Sequence, residues 1–360
     1  MSALRDEIIA MIAQDGPITL ERFMSLALGH PTLGYYMTRD PFGAGGDFVT
    51  APEISQMFGE LLGLWAQEAW RAAGAPAPAQ LIELGPGRGT LMADVLRVAR
   101  ISPAFLYSMR VHLVETSPAL QSAQRRMLAE FETSISWSAD IASAPPGPAI
   151  FLANEFFDAL PVRHYVRTAR GWSERLLGLD AGGALAFGVG EHIEPGLRVE
   201  APEGSIIEIG AVGARLMGEI GARLVAQGGA LLVVDYGYTQ TALGETLQAV
   251  ARHAYVDPLE APGEADLTAH VDFAALARAA TAAGARVQGP VTQGAFLKQL
   301  GIVERAEALK KRATPRQSVD IDLALQRLAG ARDSTRDMGE LFKAMAVTHP
   351  SMPELPGFFT

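Results

Sequence analysis

The stretch Gln80 to Ala93, QLIELGPGRGTLMA, constrains this chain more than any other, because three alternating glycines separate an apolar run from an amphipathic one. Leu81, Ile82 and Leu84 suit a buried parallel strand, and Leu91, Met92, Val95, Leu96 and Val98 recur at helical spacing. Strand, glycine turn and helix in that order open a doubly wound α/β sheet. Gly85, Gly87 and Gly89 fall in the turn, where the missing Cβ lets the backbone bend sharply and lets a ligand approach it. The alternative is a glycine-rich turn that serves tight packing alone.

Spacing narrows the choice of ligand. Dinucleotide turns read G-x-G-x-x-G and phosphate loops read G-x-x-x-x-G-K-[ST]. This turn is G-x-G-x-G followed by Thr90, has no lysine, and is preceded by the acid Glu83. An acid beside a close-approach turn suits a phosphate-free ligand with cationic groups, such as S-adenosylmethionine (SAM). A second acid, Glu115, ends the run RVHLVE and is followed by Thr116, Ser117 and Pro118, a helix-start signal. There its carboxylate would accept both ribose hydroxyls; otherwise it is an ordinary strand-end glutamate. Asp140, beyond the strand expected at 134–138, completes the cofactor-binding candidates.

Composition removes several classes of function. The formal net charge of −10 argues against a broad surface for nucleic acid or anionic membrane. The chain has no cysteine, so disulfides, thiolate catalysis and cysteine-bound metals are excluded, and its seven scattered histidines predict no metal site. No apolar run approaches the ~20 residues needed to span a bilayer. The first residues, MSALRDEIIAMIAQDG, read as a short amphipathic helix rather than a targeting peptide, which makes the cytoplasm the default location.

Alternation of strands near 80–84, 110–115, 134–138, 149–153 and 230–235 with helices near 89–100, 117–130 and 205–226 predicts a parallel sheet covered on both faces. We divide the chain into a helical cap with an active-site loop at 1–74 and the first half of a Rossmann-like core at 75–163. An inserted β-meander follows at 164–204, the second half of the core at 205–300, and inserted helices with a final strand at 301–360. One helix is expected from Glu53 to Ala73, and a turn-rich loop over 240–270. The aperiodic stretch before Glu53 carries Asp47 and glycine hinges at Gly43, Gly45 and Gly46 among aromatic residues.

Ligands of doubly wound sheets bind beyond the carboxyl ends of the strands. Asn154, Glu155 and Asp158 follow the fourth strand together with Phe156 and Phe157, Asp235 follows the fifth, and Asp47 and Glu53 lie in the early loop. Carboxylates set among aromatic rings suit a cationic, planar group such as guanidinium, which pairs bidentately with carboxylates and stacks on rings. Turn capping by Asp158 and a structural role for Asp235 are the alternatives.

GYYMTRDPFGAGGDFVTAPEISQMFGE, IELGPGRGTLMADVLR, HLVETSPAL, ANEFFDALPV, VVDYGY, ADLTAHVDF and FLKQLGI together resemble the motif series of the MidA-type methyltransferases, the family that includes a mitochondrial assembly factor of respiratory complex I. The resemblance implies a class I SAM-dependent methyltransferase with SAM as cofactor. It also implies, as in the mitochondrial member, which dimethylates an arginine of a complex I subunit, methyl transfer to an arginine of a partner protein such as a complex I subunit. Carried onto this chain, it makes Gly85, Gly87 and Gly89 the cofactor turn, Glu83 its leading acid and Glu115 the ribose acid. The GDFVTAPE and ANEFFDALP segments become the active-site rim, with Asp47, Glu53, Asn154, Glu155 and Asp158 as catalytic candidates. A nucleoside-binding assembly chaperone without turnover, or a methyltransferase with another acceptor, are the competing readings.

Overall fold

A computed structural model describes residues 2–38, 50–330 and 337–359. The chain forms two compact units, one made of Val49–Phe157, Leu216–Thr239 and Phe273–Thr360, the other of Met1–Phe48, Asp158–Arg215 and Gln240–Asp272.

The first unit is a doubly wound Rossmann-like sheet. Its strands, labelled here in chain order, are Ala79–Leu84 (β1), Met109–Val114 (β2), Ile135–Ser138 (β3), Ala149–Asn154 (β4), Gly229–Tyr238 (β5), Arg286–Thr292 (β6) and Phe342–Thr348 (β7). They run in the order β6-β7-β5-β4-β1-β2-β3. The pairs β1–β2, β1–β4, β2–β3 and β4–β5 are parallel, and β7 lies antiparallel to β5 and β6. Every residue of β1 is buried, because helices cover both faces, which is why the strand reads as a continuous apolar run broken only by Gln80 and Glu83. The chain turns to one side of the sheet after β1 and to the other after β4. Their carboxyl ends therefore flank the switch point where such sheets hold ligands.

Departures from the expected elements have local causes. The single helix expected over Glu53–Ala73 is two, Ala51–Ile54 and Gln56–Ala72. Ser55 between them is extended and caps the second, its Oγ accepting from the Met57 N–H at 3.2 Å.

The second unit holds the helices Ala3–Asp15 and Leu20–Gly29, a five-stranded sheet and a three-stranded sheet. Arg163–Thr168, Gly171–Leu179 and Leu185–Ile193 form the antiparallel meander. The segment expected to begin a helix at 205 opens instead as the strand Ile206–Ile209, paired with Arg163–Thr168, and the helix starts at Ala211. Within the expected loop at 240–270 lie the strands Gln248–Ala251, Ala254–Val256 and Asp266–Thr268. Leu4, Ile8, Phe23, Met24, Leu177 and Leu267 are at the centre of this unit's core. Asp47 and the glycines 43, 45 and 46 lie outside the described residues. Among the described residues, no helix is long and apolar enough to cross a membrane.

Candidate active site

The turn after β1 is built from left-handed backbone. Gly85, Gly87 and Gly89 have φ of 61°, 52° and 87°. A Cβ on Gly85 would also stand 2.9 Å from Phe156 Cδ2, so a side chain there meets both strain and a clash. The Gly85 N–H donates to the Val114 carbonyl at 3.0 Å, which ties the turn to the end of β2.

Two acids flank this turn. Glu83 is 3% exposed, and among the described residues its Oε2 has no hydrogen-bond partner. Burial, with the nearby Glu115 charge, pushes its carboxyl up to about 8, so it is largely protonated at neutral pH. Glu115 is also buried, which raises its pKa, but donors oppose the shift. Its Oε1 accepts from the Ser117 N–H at 2.8 Å and its Oε2 from Gln124 Nε2 at 3.1 Å. A partnerless buried carboxyl oxygen, a left-handed glycine turn and an acid beyond β2 fit the cationic groups, the main-chain contacts and the ribose of SAM.

Beyond β4, Glu155 takes the left-handed φ of 49°, an uncommon conformation for a residue with a side chain. Its N–H donates to the Val234 carbonyl at 2.9 Å, and its Oε1 accepts from the Ala51 N–H at 3.0 Å and from Asn154 Nδ2 at 3.1 Å. Asp235, fully buried, explains how the turn is held. Its Oδ2 accepts from the Phe156 and Phe157 N–H groups at 3.1 and 2.9 Å, and its Oδ1 from the Tyr236 N–H at 2.9 Å. The strand-end acid read as either rim or scaffold is a clamp for the backbone that presents Glu155. Glu53 accepts from Thr90 Oγ1 at 2.6 Å, which joins the short helix Ala51–Ile54 to the start of the helix Thr90–Ala99.

Two expected site residues have surroundings of their own. Asp158 is the first residue of the segment Asp158–Arg215 in the other unit, where its carbonyl accepts from the Ala269 N–H at 2.9 Å. In that unit Tyr36 Oη donates to Asp266 Oδ1 at 2.8 Å, and burial, then the charges of Asp266 and Asp158, raise the phenol well above its ordinary range. Asp140 is exposed, and its carboxylate accepts from the Ser143 N–H at 2.8 Å in a surface turn, which lowers its pKa.

One buried polar residue escaped the sequence reading. Gln124 reaches both the Gly87 carbonyl and Glu115. Its only sequence signal is helical spacing: Leu120 and Gln124 are the buried side of the helix Pro118–Met127, four residues apart.

A family model described as "Putative S-adenosyl-L-methionine-dependent methyltransferase" matches residues 61–291. A Danio rerio protein named "Protein arginine methyltransferase NDUFAF7, mitochondrial" is 38% identical, over 84% of this chain and 77% of that protein. The Homo sapiens protein of the same name is 38% identical, over 83% of this chain and 73% of its own length. A crystal structure from Burkholderia thailandensis, bound to S-adenosyl-homocysteine, is 28% identical with a TM-score of 0.85, covering 99% of this chain and 94% of its own. The mitochondrial designation of these relatives overturns the cytoplasmic location expected above. That expectation rested on reading the first residues as a short amphipathic helix, but Leu4, Ile8 and Ile12 bury this helix in a core, so its pattern reports packing and says nothing of location.

Proposed function

Because the chain belongs to the S-adenosyl-L-methionine-dependent methyltransferase family, we propose that it methylates an arginine guanidinium of a partner protein. The relatives named protein arginine methyltransferases support this acceptor. A respiratory complex I subunit, implied by the motif resemblance, is the first partner to try.

In this reading the turn Gly85–Gly89 and Glu115 hold the nucleoside end of SAM, and Glu83 faces its cationic groups. When bound, SAM supplies an electrophilic methyl group. Glu155 orients the guanidinium and takes up its proton late in the reaction, since an arginine pKa above 12 makes earlier deprotonation too costly. One observation carries the proposal. Glu155 sits in a left-handed conformation at the carboxyl end of β4, held by Val234, Ala51 and the Asp235 clamp. Backbone strain of this kind persists where surrounding structure over-determines it, and it concentrates at functional sites.

The test supplies SAM with a radiolabelled methyl group and candidate acceptors, followed by acid hydrolysis and chromatography of methylarginines. Glu155→Gln keeps shape and removes a charge and a proton acceptor. Turnover should fall by about 10²-fold or more, the range for loss of a general base, while SAM affinity measured by calorimetry stays near the parent value. Parental turnover by this variant, or equal methylation of a peptide with lysine replacing the arginine, would end the arginine reading.

A further inference from the structure

The amide of Gln124 is fully committed. Its Oε1 accepts from Trp137 Nε1 at 2.9 Å, and an indole N–H only donates, so the orientation of the amide is fixed. Both Nε2 hydrogens then point the other way, one to the Gly87 carbonyl at 2.7 Å and one to Glu115 Oε2 at 3.1 Å. The Arg125 guanidinium lies 3.9 Å over the Trp137 ring and holds that indole from its face. The turn also closes on the glutamine's stem, since a Cβ on Gly89 would lie 3.4 Å from Gln124 Cγ.

We propose that Gln124, oriented by Trp137, is a positioning residue that fixes the Glu115 carboxylate against the glycine turn in the geometry that takes the ribose hydroxyls of the cofactor. This rests on the reading of Glu115 as the ribose acid. A carboxylate has about four acceptor positions, so the donors from Gln124 and the following backbone leave it able to accept hydroxyls. Pinning it in advance removes rotational freedom that binding would otherwise have to remove. The same amide holds the Gly87 carbonyl, so the acid and the turn keep one spacing across the nucleoside.

The experiment is calorimetry on the full chain with two probes, S-adenosylhomocysteine and its 2′,3′-dideoxy counterpart. Glu115→Ala first tests the underlying reading and should erase the parent's preference for the hydroxylated probe. If the preference survives, the ribose assignment fails and the role of Gln124 fails with it. Gln124→Met, similar in volume but without the amide, should weaken the hydroxylated probe about 10-fold, the scale of one lost hydrogen bond to a charged group. The dideoxy probe should weaken several-fold less, because it lacks the contact with Glu115 and feels only the loosened Gly87 carbonyl. Trp137→Phe frees the amide to rotate and should shift the same preference in the same direction by a smaller factor. It decides the matter if Gln124→Met does not fold. Equal loss for both probes, or none for either, when Glu115→Ala has behaved as expected, overturns the role of Gln124 and leaves the ribose assignment standing.

Discussion

At the scale of single residues, Glu83 carries the sharpest consequence. Its carboxyl titrates at about 8 in the folded protein against 4.5 ordinarily, because it is buried and lies near Glu115. Between these values the folded state keeps a proton that the unfolded chain has released, so this residue's contribution to stability declines as pH rises from 4.5 through about 8. Glu83→Gln has no such proton. Relative to the parent it should gain a few kcal/mol, on the scale of ~1.4 kcal/mol for each pKa unit, as pH rises through that window. Urea midpoints of both proteins from acid to alkaline pH measure the difference, and parallel curves would show that Glu83 is not buried as described. A bound cation should also ionise this carboxyl, so SAM binding near neutral pH should release a proton, seen as a dependence of binding enthalpy on the buffer's ionisation enthalpy. Glu115→Ala should weaken SAM binding by roughly 1.5–3 kcal/mol, the range for hydrogen bonds to a charged group. The free protein should also lose roughly 1–3 kcal/mol of stability, because the buried Ser117 and Gln124 donors are left without their acceptor. A loss of stability with affinity intact would make Glu115 structural.

At the scale of elements, the strand, turn and helix from Ala79 to Ala99 were legible because each part obeys its own period and the glycines punctuate them. What surrounds that unit was not. Ser55 breaks a helix whose apolar stripe runs on past it, and nothing in the periodicity marks the break. Ile206–Ile209 is short enough that its apolar residues fit a helix start equally well until its partner Arg163–Thr168 is known. Asp235 was visible as a strand-end acid, but only the register of β5 beside β4 shows that its carboxylate receives the Phe156 and Phe157 amides. Asp235→Asn therefore places an NH2 group where backbone donors point. We expect a loss of roughly 1–3 kcal/mol of stability, the cost of buried donors left unsatisfied, together with reduced turnover. Glu155→Gln, by contrast, should lose turnover with stability nearly unchanged. Urea denaturation and methyl-transfer rates on both variants check this, and unchanged stability of Asp235→Asn would remove the clamp from the account of the site.

At the scale of the molecule, the chain passes between its units after Phe48, Phe157, Arg215, Thr239 and Asp272, so neither unit is a continuous stretch of sequence. The Rossmann-like core was readable because its parallel strands recur with helices between them. The other unit was readable only in pieces, because its core joins Leu4 and Phe23 to Leu177 and Leu267 across long separations. The same discontinuity places Glu155 and Asp158 in different units although they are three residues apart. Glu83, Gly85–Gly89, Glu115 and Gln124 all belong to the core unit, so cofactor binding should be felt by that unit's most protected backbone. A ligand that binds only folded protein stabilises it by RT ln(1 + [L]/Kd), about 2.7 kcal/mol at 100 Kd. Amides in β1, β4 and β5 that exchange only when the unit opens as a whole should then slow about 100-fold in S-adenosylhomocysteine at that concentration. In Glu115→Ala at the same ligand concentration the slowing should shrink by the factor by which affinity falls. Hydrogen exchange read by mass spectrometry resolves these strands. Undiminished slowing in the variant would mean that the cofactor gains nothing from Glu115, and no slowing in the parent would mean that the glycine turn and its flanking acids do not hold it.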